Sequence, residues 1–146
     1  MNRIEFLKTC GFGCLGLIGT ASLLESCAGA KYLNGTLTDS FLEIPFDAFE
    51  VIKKEKKKFR KYVIVQHDEL KYPICVYRQS ASEYWALLMK CTHQGTELQV
   101  FGDRLQCPGH GSEFTKTGEV IKGPADTALR TLHVLVEKRI LKIDLT

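Results

Sequence analysis

Cys91-Thr92-His93-Gln94-Gly95, followed by Cys107-Pro108-Gly109-His110-Gly111-Ser112, is the stretch whose reading decides the fold. Each segment offers one thiolate and one imidazole, spaced Cys-x-His in the first and Cys-x-x-His in the second. Thiolates suit iron–sulfur clusters and zinc; imidazole suits iron, zinc or copper. The set therefore fits an iron–sulfur cluster or a tetrahedral zinc ion. Zinc sites of this composition usually pair Cys with Cys and His with His along the chain, whereas here each arm mixes the two. Gly95, Gly109 and Gly111 let the backbone turn sharply and come close to a ligand. Pro108 stiffens the second segment and removes one amide donor.

In order, spacing and flanking glycines the two segments resemble the two boxes of the Rieske [2Fe–2S] proteins, and the resemblance covers roughly residues 60–145. It implies one [2Fe–2S] cluster per chain, with Cys91 and Cys107 on the inner ferric iron and His93 and His110 on the outer one. Neutral imidazole in place of thiolate makes such a cluster less negative and raises its potential. The implied fold is all-β: a Rieske-type antiparallel sandwich or barrel with a small inserted cluster-binding subdomain at about residues 90–115. Gly123-Pro124-Ala125 resembles the proline loop that covers the cluster in this family. Three positions depart from its high-potential members. Thr96 and Gly109 stand where many carry a disulfide between the boxes, so that clamp cannot form. Ser112 matches the serine that donates to a bridging sulfide. Phe114 stands where a tyrosine would donate to a cysteine sulfur. Hydrogen bonds to sulfur favour the reduced cluster, so keeping one of two side-chain donors predicts an intermediate potential within roughly −150 to +300 mV.

Residues 1–26 read as a targeting segment of the lipoprotein type. Arg3 and Lys8 give a weakly positive start, and Cys10 to Leu24 is an apolar run of signal-peptide length, short for a membrane span. Leu24-Glu25-Ser26-Cys27 resembles a bacterial lipobox, which makes Cys27 the expected lipidation site. Ala28-Gly29-Ala30 offers an alternative cleavage site, and an uncleaved anchor is a third reading. Arg3 to Lys8 resembles half of a twin-arginine signal with Ile4 in place of the second arginine, which leaves the export route open. Residues 27–38 are small and polar and read as a tether, and 39–146 as the Rieske domain.

Removing residues 1–26 leaves 120 of the 146, one domain's worth, and the net charge stays +3 because two basic and two acidic residues leave together. No mononuclear-iron domain fits in that length, so a ring-hydroxylating oxygenase is not expected of this chain alone. With Cys10 and Cys14 in the signal, Cys27 lipidated and Cys91 and Cys107 as ligands, only Cys75 is left over. It sits in the apolar run Tyr72–Tyr77 and reads as a buried structural thiol, with no disulfide expected. His67 and His133 read as surface residues.

Past residue 38 the pattern is of short strands and frequent turns. Strands are expected at Phe41–Phe46, Phe59–Val65, Tyr72–Tyr77, Tyr84–Met89, Leu98–Phe101, Leu105–Gln106, around Val120-Ile121 and Leu132–Val136, and at Ile140–Leu145. Asp68-Glu69, Gly102-Asp103, Thr117-Gly118 and Lys138-Arg139 supply turns. The one stretch with helical character is Phe46–Lys54. Lys53 to Lys61 holds seven basic residues in nine. It reads either as a solvated strand edge or as a surface attracted to an anionic membrane or an acidic redox partner. Nucleic acid is not expected as a partner of an exported protein.

The expected function is one-electron transfer by a membrane-tethered subunit or carrier, itself non-catalytic, in the cell envelope on the periplasmic side of a bacterial cytoplasmic membrane. Its partners would be redox proteins, such as a cytochrome or an oxidoreductase subunit, and quinol if the complex is quinol-oxidising. Phe114 and the missing disulfide positions lean toward a partner of an exported oxidoreductase, comparable to the small subunit of arsenite oxidase or to a stand-alone ferredoxin. The alternative is a zinc-stabilised surface lipoprotein with a non-redox binding role.

Overall fold

The structure, a computed structural model, describes residues 29–146. The targeting segment 1–26, Cys10, Cys14 and the lipidation site Cys27 lie outside the described residues. In chain order the elements are β1 (Tyr32–Asn34), β2 (Thr36–Thr38), β3 (Phe41–Pro45), a 3₁₀ turn (Phe46–Phe49), β4 (Glu50–Lys53), β5 (Lys56–Phe59), β6 (Tyr62–Gln66), β7 (Ile74–Arg78) and β8 (Tyr84–Leu88). They continue as β9 (Gln99–Phe101), β10 (Arg104–Gln106), β11 (Glu113–Thr115), β12 (Val120–Lys122), β13 (Thr131–Leu132), β14 (Val134–Glu137) and β15 (Ile140–Asp144).

A five-stranded sheet, β1-β6-β7-β8-β13, is the middle layer. Its central strands β6, β7 and β8 read as nearly unbroken apolar runs because both faces are buried. Val63, Val65, Ile74, Val76 and Ala86 face Leu42, Ile44, Leu141 and Ile143 of the sheet β14-β15-β3-β2. The alternate residues Ile64, Cys75, Tyr77 and Leu87 face Leu105 and Phe114 of the sheet β12-β11-β10-β9, with Leu98 just ahead of it. Period-two alternation assigns each residue to one of two cores. Each fully buried aliphatic or aromatic side chain stabilises the domain by about 1.5–3 kcal/mol. The architecture is the all-β one expected, with antiparallel sheets and a small cluster-side sheet. That small sheet extends to Lys122, past the expected limit of 115.

Two expectations are corrected. The segment read as a tether is largely part of the fold. Tyr32–Asn34 pairs in parallel with Ile64–Gln66, and Thr36–Thr38 pairs with Phe41–Glu43. Its small, polar composition hid two edge strands that bury only one residue each, Leu33 and Leu37 in part. Gly35 lets the chain cross between the two sheets: a Cβ there would stand 2.7 Å from Leu42 and 3.0 Å from Val65. The helical reading of Phe46–Lys54 shrinks to the 3₁₀ turn. Beyond it Val51 and Ile52, β-branched, continue as β4, which pairs with the lysine strand β5.

Candidate metal centre

β8 leaves the middle sheet straight into the first loop, and β10 leads into the second. The two loops close identically. Cys91 N–H donates to Thr96 O at 2.8 Å, and Cys107 N–H donates to Ser112 O at 2.8 Å. Gly95 N–H donates to Cys91 O at 2.8 Å, and Gly111 N–H to Cys107 O at 2.9 Å. Both glycines take left-handed conformations, φ +74° and +77°, which a side chain resists. The closures fix both cysteines inward and buried, and leave both histidines exposed. The imidazoles of His93 and His110 stand edge to face, centroids 4.9 Å apart and rings at 89°.

The sulfur end is polar where a thiolate needs it. Burial alone would raise the Cys107 pKa, but the N–H of His110, the Cys91 thiol, the N–H of Gly109 and the Thr96 hydroxyl outweigh it, and the net shift is downward. Cys75, walled in by apolar side chains in the same core, is pushed up to about 12 by burial. The fold thus treats two buried sulfurs oppositely: amides and neighbouring side chains outweigh burial at Cys107, whereas at Cys75 burial outweighs the one opposing contact, from the Tyr77 hydroxyl.

Ser112 is fully buried, and its Oγ accepts from Ala125 N–H at 3.0 Å. Its own proton stays available for a further acceptor. Thr92 Oγ1 donates to Thr127 O at 2.7 Å. The segment that begins at Gly123-Pro124, joined by a cis peptide, is therefore tied to both loops. Phe114 is buried in the core beneath Cys107. Thr96 and Gly109 face each other: a Cβ on Gly109 would lie 3.1 Å from Thr96 Oγ1 and 3.7 Å from Cys107 Sγ. His67 accepts from Glu69 N–H at 3.2 Å in its turn, and His133 is exposed between β13 and β14; neither joins the site. Thr92 and Thr127 have no mark in the sequence, since their bond spans the whole subdomain. An open groove of about 840 Å³ runs beside His93, with Tyr72, Lys90 and Arg130 on its walls.

A zinc ion would need its donors to converge on one point. Here the donors stand as two pairs, the Cys91 thiol hydrogen-bonded to Cys107 on one side and the two imidazoles, with centroids 4.9 Å apart, on the other. Two buried sulfurs and two exposed nitrogens instead form the two pairs that a two-iron cluster takes. These features define a protein of the two-iron, mixed-ligand cluster class. The Rieske [2Fe-2S] domain profile matches residues 48–133, more than half of the chain. The chain belongs to that family, whose members carry a [2Fe–2S] cluster, and it has their all-β fold.

Similar proteins include the cytochrome b6-f complex iron-sulfur subunit of Synechococcus sp. (strain RCC307), 41% identical over 49 residues, which cover 32% of this chain and 28% of that one. The same subunit of Trichodesmium erythraeum (strain IMS101) is 36% identical over 67 residues, 44% of this chain and 37% of that one. The chain thus spans well under half the length of these curated relatives. Among solved structures, the plasma membrane Rieske protein PetC3 of Synechocystis PCC 6803 superposes with a TM-score of 0.50 at 28% identity. That match covers 57% of this chain and 86% of that one.

Proposed function

We propose that this chain is a one-electron carrier, with Cys91 and Cys107 holding the buried side of the cluster and His93 and His110 its exposed side. The observation that carries the reading is the pairing of two buried sulfurs with two exposed, edge-to-face imidazoles. When bound, the cluster takes up and returns one electron. The protein's part is positional and electrostatic. The matching closures of the two loops grip it from two sides, and the buried core under the sulfurs excludes water. The outer imidazoles present a small docking surface to a partner. Each can also hold a proton more tightly when negative charge is added behind it, which couples electron to proton. Ser112, locked by Ala125, aims its hydroxyl proton inward as a tuning donor, Phe114 withholds a second one, and Gly123 and Pro124 form the cover.

We read residues 1–26 as a lipoprotein signal and Cys27 as the acylated residue that tethers the domain outside the bacterial cytoplasmic membrane. The partner is a redox protein, a cytochrome or an oxidoreductase subunit. Relatives named as cytochrome b6-f subunits and a plasma membrane Rieske protein support a membrane setting. Among the described residues no helix is long and apolar enough to cross a membrane. Film voltammetry of the loaded chain tests the carrier reading. We expect one reversible one-electron wave of intermediate potential that falls as pH rises. A pH-independent wave would remove the imidazoles from the redox site.

A further inference from the structure

The registers of the middle sheet place the chain's start and the histidine loops at opposite ends. β1 enters beside the beginning of β6: Ile64 N–H donates to Lys31 O at 2.9 Å, and Gly29 and Ala30 lie against Arg60, Lys61 and Tyr62. β8 leaves at the other end, where Leu88 pairs with Ile74 and Met89 N–H donates to Pro73 O before Cys91. β6 and β7 carry five residues each, so the two ends are about 16 Å apart. The small sheet agrees. β9 runs from the first loop to the Gly102-Asp103 turn, and Asp103 meets Lys61 at 3.1 Å, at the end where the chain starts.

The hairpin β4–β5 sits at that same end. Phe59 anchors it, with Arg78 over its ring at 4.1 Å and Phe46 edge-on at 6.4 Å. Its turn, Lys54-Glu55, takes two positive φ values, 51° and 60°, and the strands stand away as a two-stranded sheet of their own. From Glu50 to Lys61 there are seven basic and two acidic residues, net +5 in a chain of net +3, so the rest is net −2. One acid, Glu50, is engaged by Lys57 at 2.6 Å. Among the exposed lysines Ile52 stands 83% exposed, the most exposed of the large hydrophobic residues described.

We infer that the β4–β5 hairpin is a docking surface for an anionic lipid bilayer, lying on it with the lysines at the headgroups and Ile52 in the interface. This rests on the reading of Cys27 as the acylated residue. Cys27 is only four residues from Lys31, whose backbone is already bonded to the sheet, so the link reaches about 14 Å at most. Lipid and hairpin then meet the same surface. Each lysine near an anionic leaflet adds to the attraction. A surface steering an acidic redox partner belongs near the histidines, and this one is at the far end. The consequence is an orientation: His93 and His110 face away from the bilayer, and the redox partner reaches them in the aqueous space.

The test uses the full, cluster-loaded chain with an environment-sensitive fluorophore at Ile52→Cys or, at the histidine end, at Asp68→Cys, an exposed turn position. Vesicles are phosphatidylcholine with and without phosphatidylglycerol, and the acyl state of Cys27 is read by mass spectrometry. We expect a blue shift at position 52 that requires phosphatidylglycerol and is lost in high salt. It should also be lost in the Lys53→Gln, Lys54→Gln, Lys56→Gln, Lys58→Gln variant, with no shift at position 68. A response at 52 without acylation of Cys27 would keep the hairpin surface and overturn the anchor. Acylated Cys27 with a silent position 52, a shift at 68 in place of 52, or a shift indifferent to phosphatidylglycerol overturns the hairpin surface. So does a lysine variant that keeps the lipid response and instead slows electron transfer to an acidic protein.

Discussion

The loop at residues 91–96 and the loop at 107–112 close through the same two backbone bonds and the same left-handed glycine, yet they differ in where the histidine falls and in what holds the loop from outside. In the first the imidazole is two residues after the cysteine, in the second three. On a common backbone that single-residue offset sends the rings in different directions, and they meet edge to face. The first loop is tied outward by the Thr92 hydroxyl at Thr127, near the surface. The second is tied inward, by the buried Ser112 accepting from Ala125. The lesson is one of division of labour: the shared closure sets the sulfurs, the offset sets the imidazoles, and the unequal ties leave the second loop with the buried hydroxyl that we propose as the tuning donor.

The largest effect comes from removing the sulfurs that the shared closure positions. Cys91→Ser and Cys107→Ser should each abolish cluster binding, seen as loss of iron from the purified chain. A variant of either loop that kept full iron would show that one loop suffices. Next come the glycines. Gly95→Ala and Gly111→Ala should each cost about 1–2 kcal/mol in thermal unfolding through the left-handed conformation alone. At Gly111 a Cβ meets nothing within 4 Å, whereas at Gly95 it meets the Tyr72 hydroxyl at 3.4 Å. The Gly95 variant should be equal or worse; a markedly worse Gly111 variant would contradict the equivalence of the loops.

The unequal ties are tested by potential. Ser112→Ala removes the buried hydroxyl proposed as the tuning donor. At about 1–1.5 kcal/mol per hydrogen bond, the potential should fall by about 40–60 mV in a redox titration. Thr96→Val removes the hydroxyl beside Cys107 and Gly109 and should lower the potential by less, because Thr96 is half-exposed. A larger fall at Thr96 would reverse the assignment of the tuning loop.

The smallest effect lies with the third buried sulfur. Burial holds the Cys75 pKa near 12 against an ordinary 9.0. The unfolded chain loses that proton first, so the contribution is intact below pH 9 and declines between 9 and 12. By pH 10 the loss should be about 1 kcal/mol in denaturant unfolding. Cys75→Ala should flatten that part of the curve.

The family was legible because cluster chemistry demands particular side chains at short spacing. So were the strands that alternate or run apolar, such as β6, β7 and β8. The edge strands β1 and β2 were not. Their residues are largely solvated, and what makes them strands is a partner: Gln66 and Ile64 for one, Leu42 for the other. For the same reason the contacts between Thr92 and Thr127, and between Ala125 and Ser112, were invisible, since each joins residues far apart in the chain by a single hydrogen bond. Local sequence carries no signal for such a pairing. The proximity of positions 96 and 109, inferred from resemblance, has a geometric counterpart in the 3.1 Å approach of a Gly109 Cβ to Thr96.

The central claim is a [2Fe–2S] cluster held by one cysteine and one histidine from each loop. The most direct test is the EPR spectrum of the full chain after anaerobic reduction with dithionite, taken with iron and zinc analysis. The account predicts a rhombic signal with average g below the free-electron value, two irons per chain and no zinc. Bound zinc without a signal, or a signal of the all-thiolate type, would contradict it.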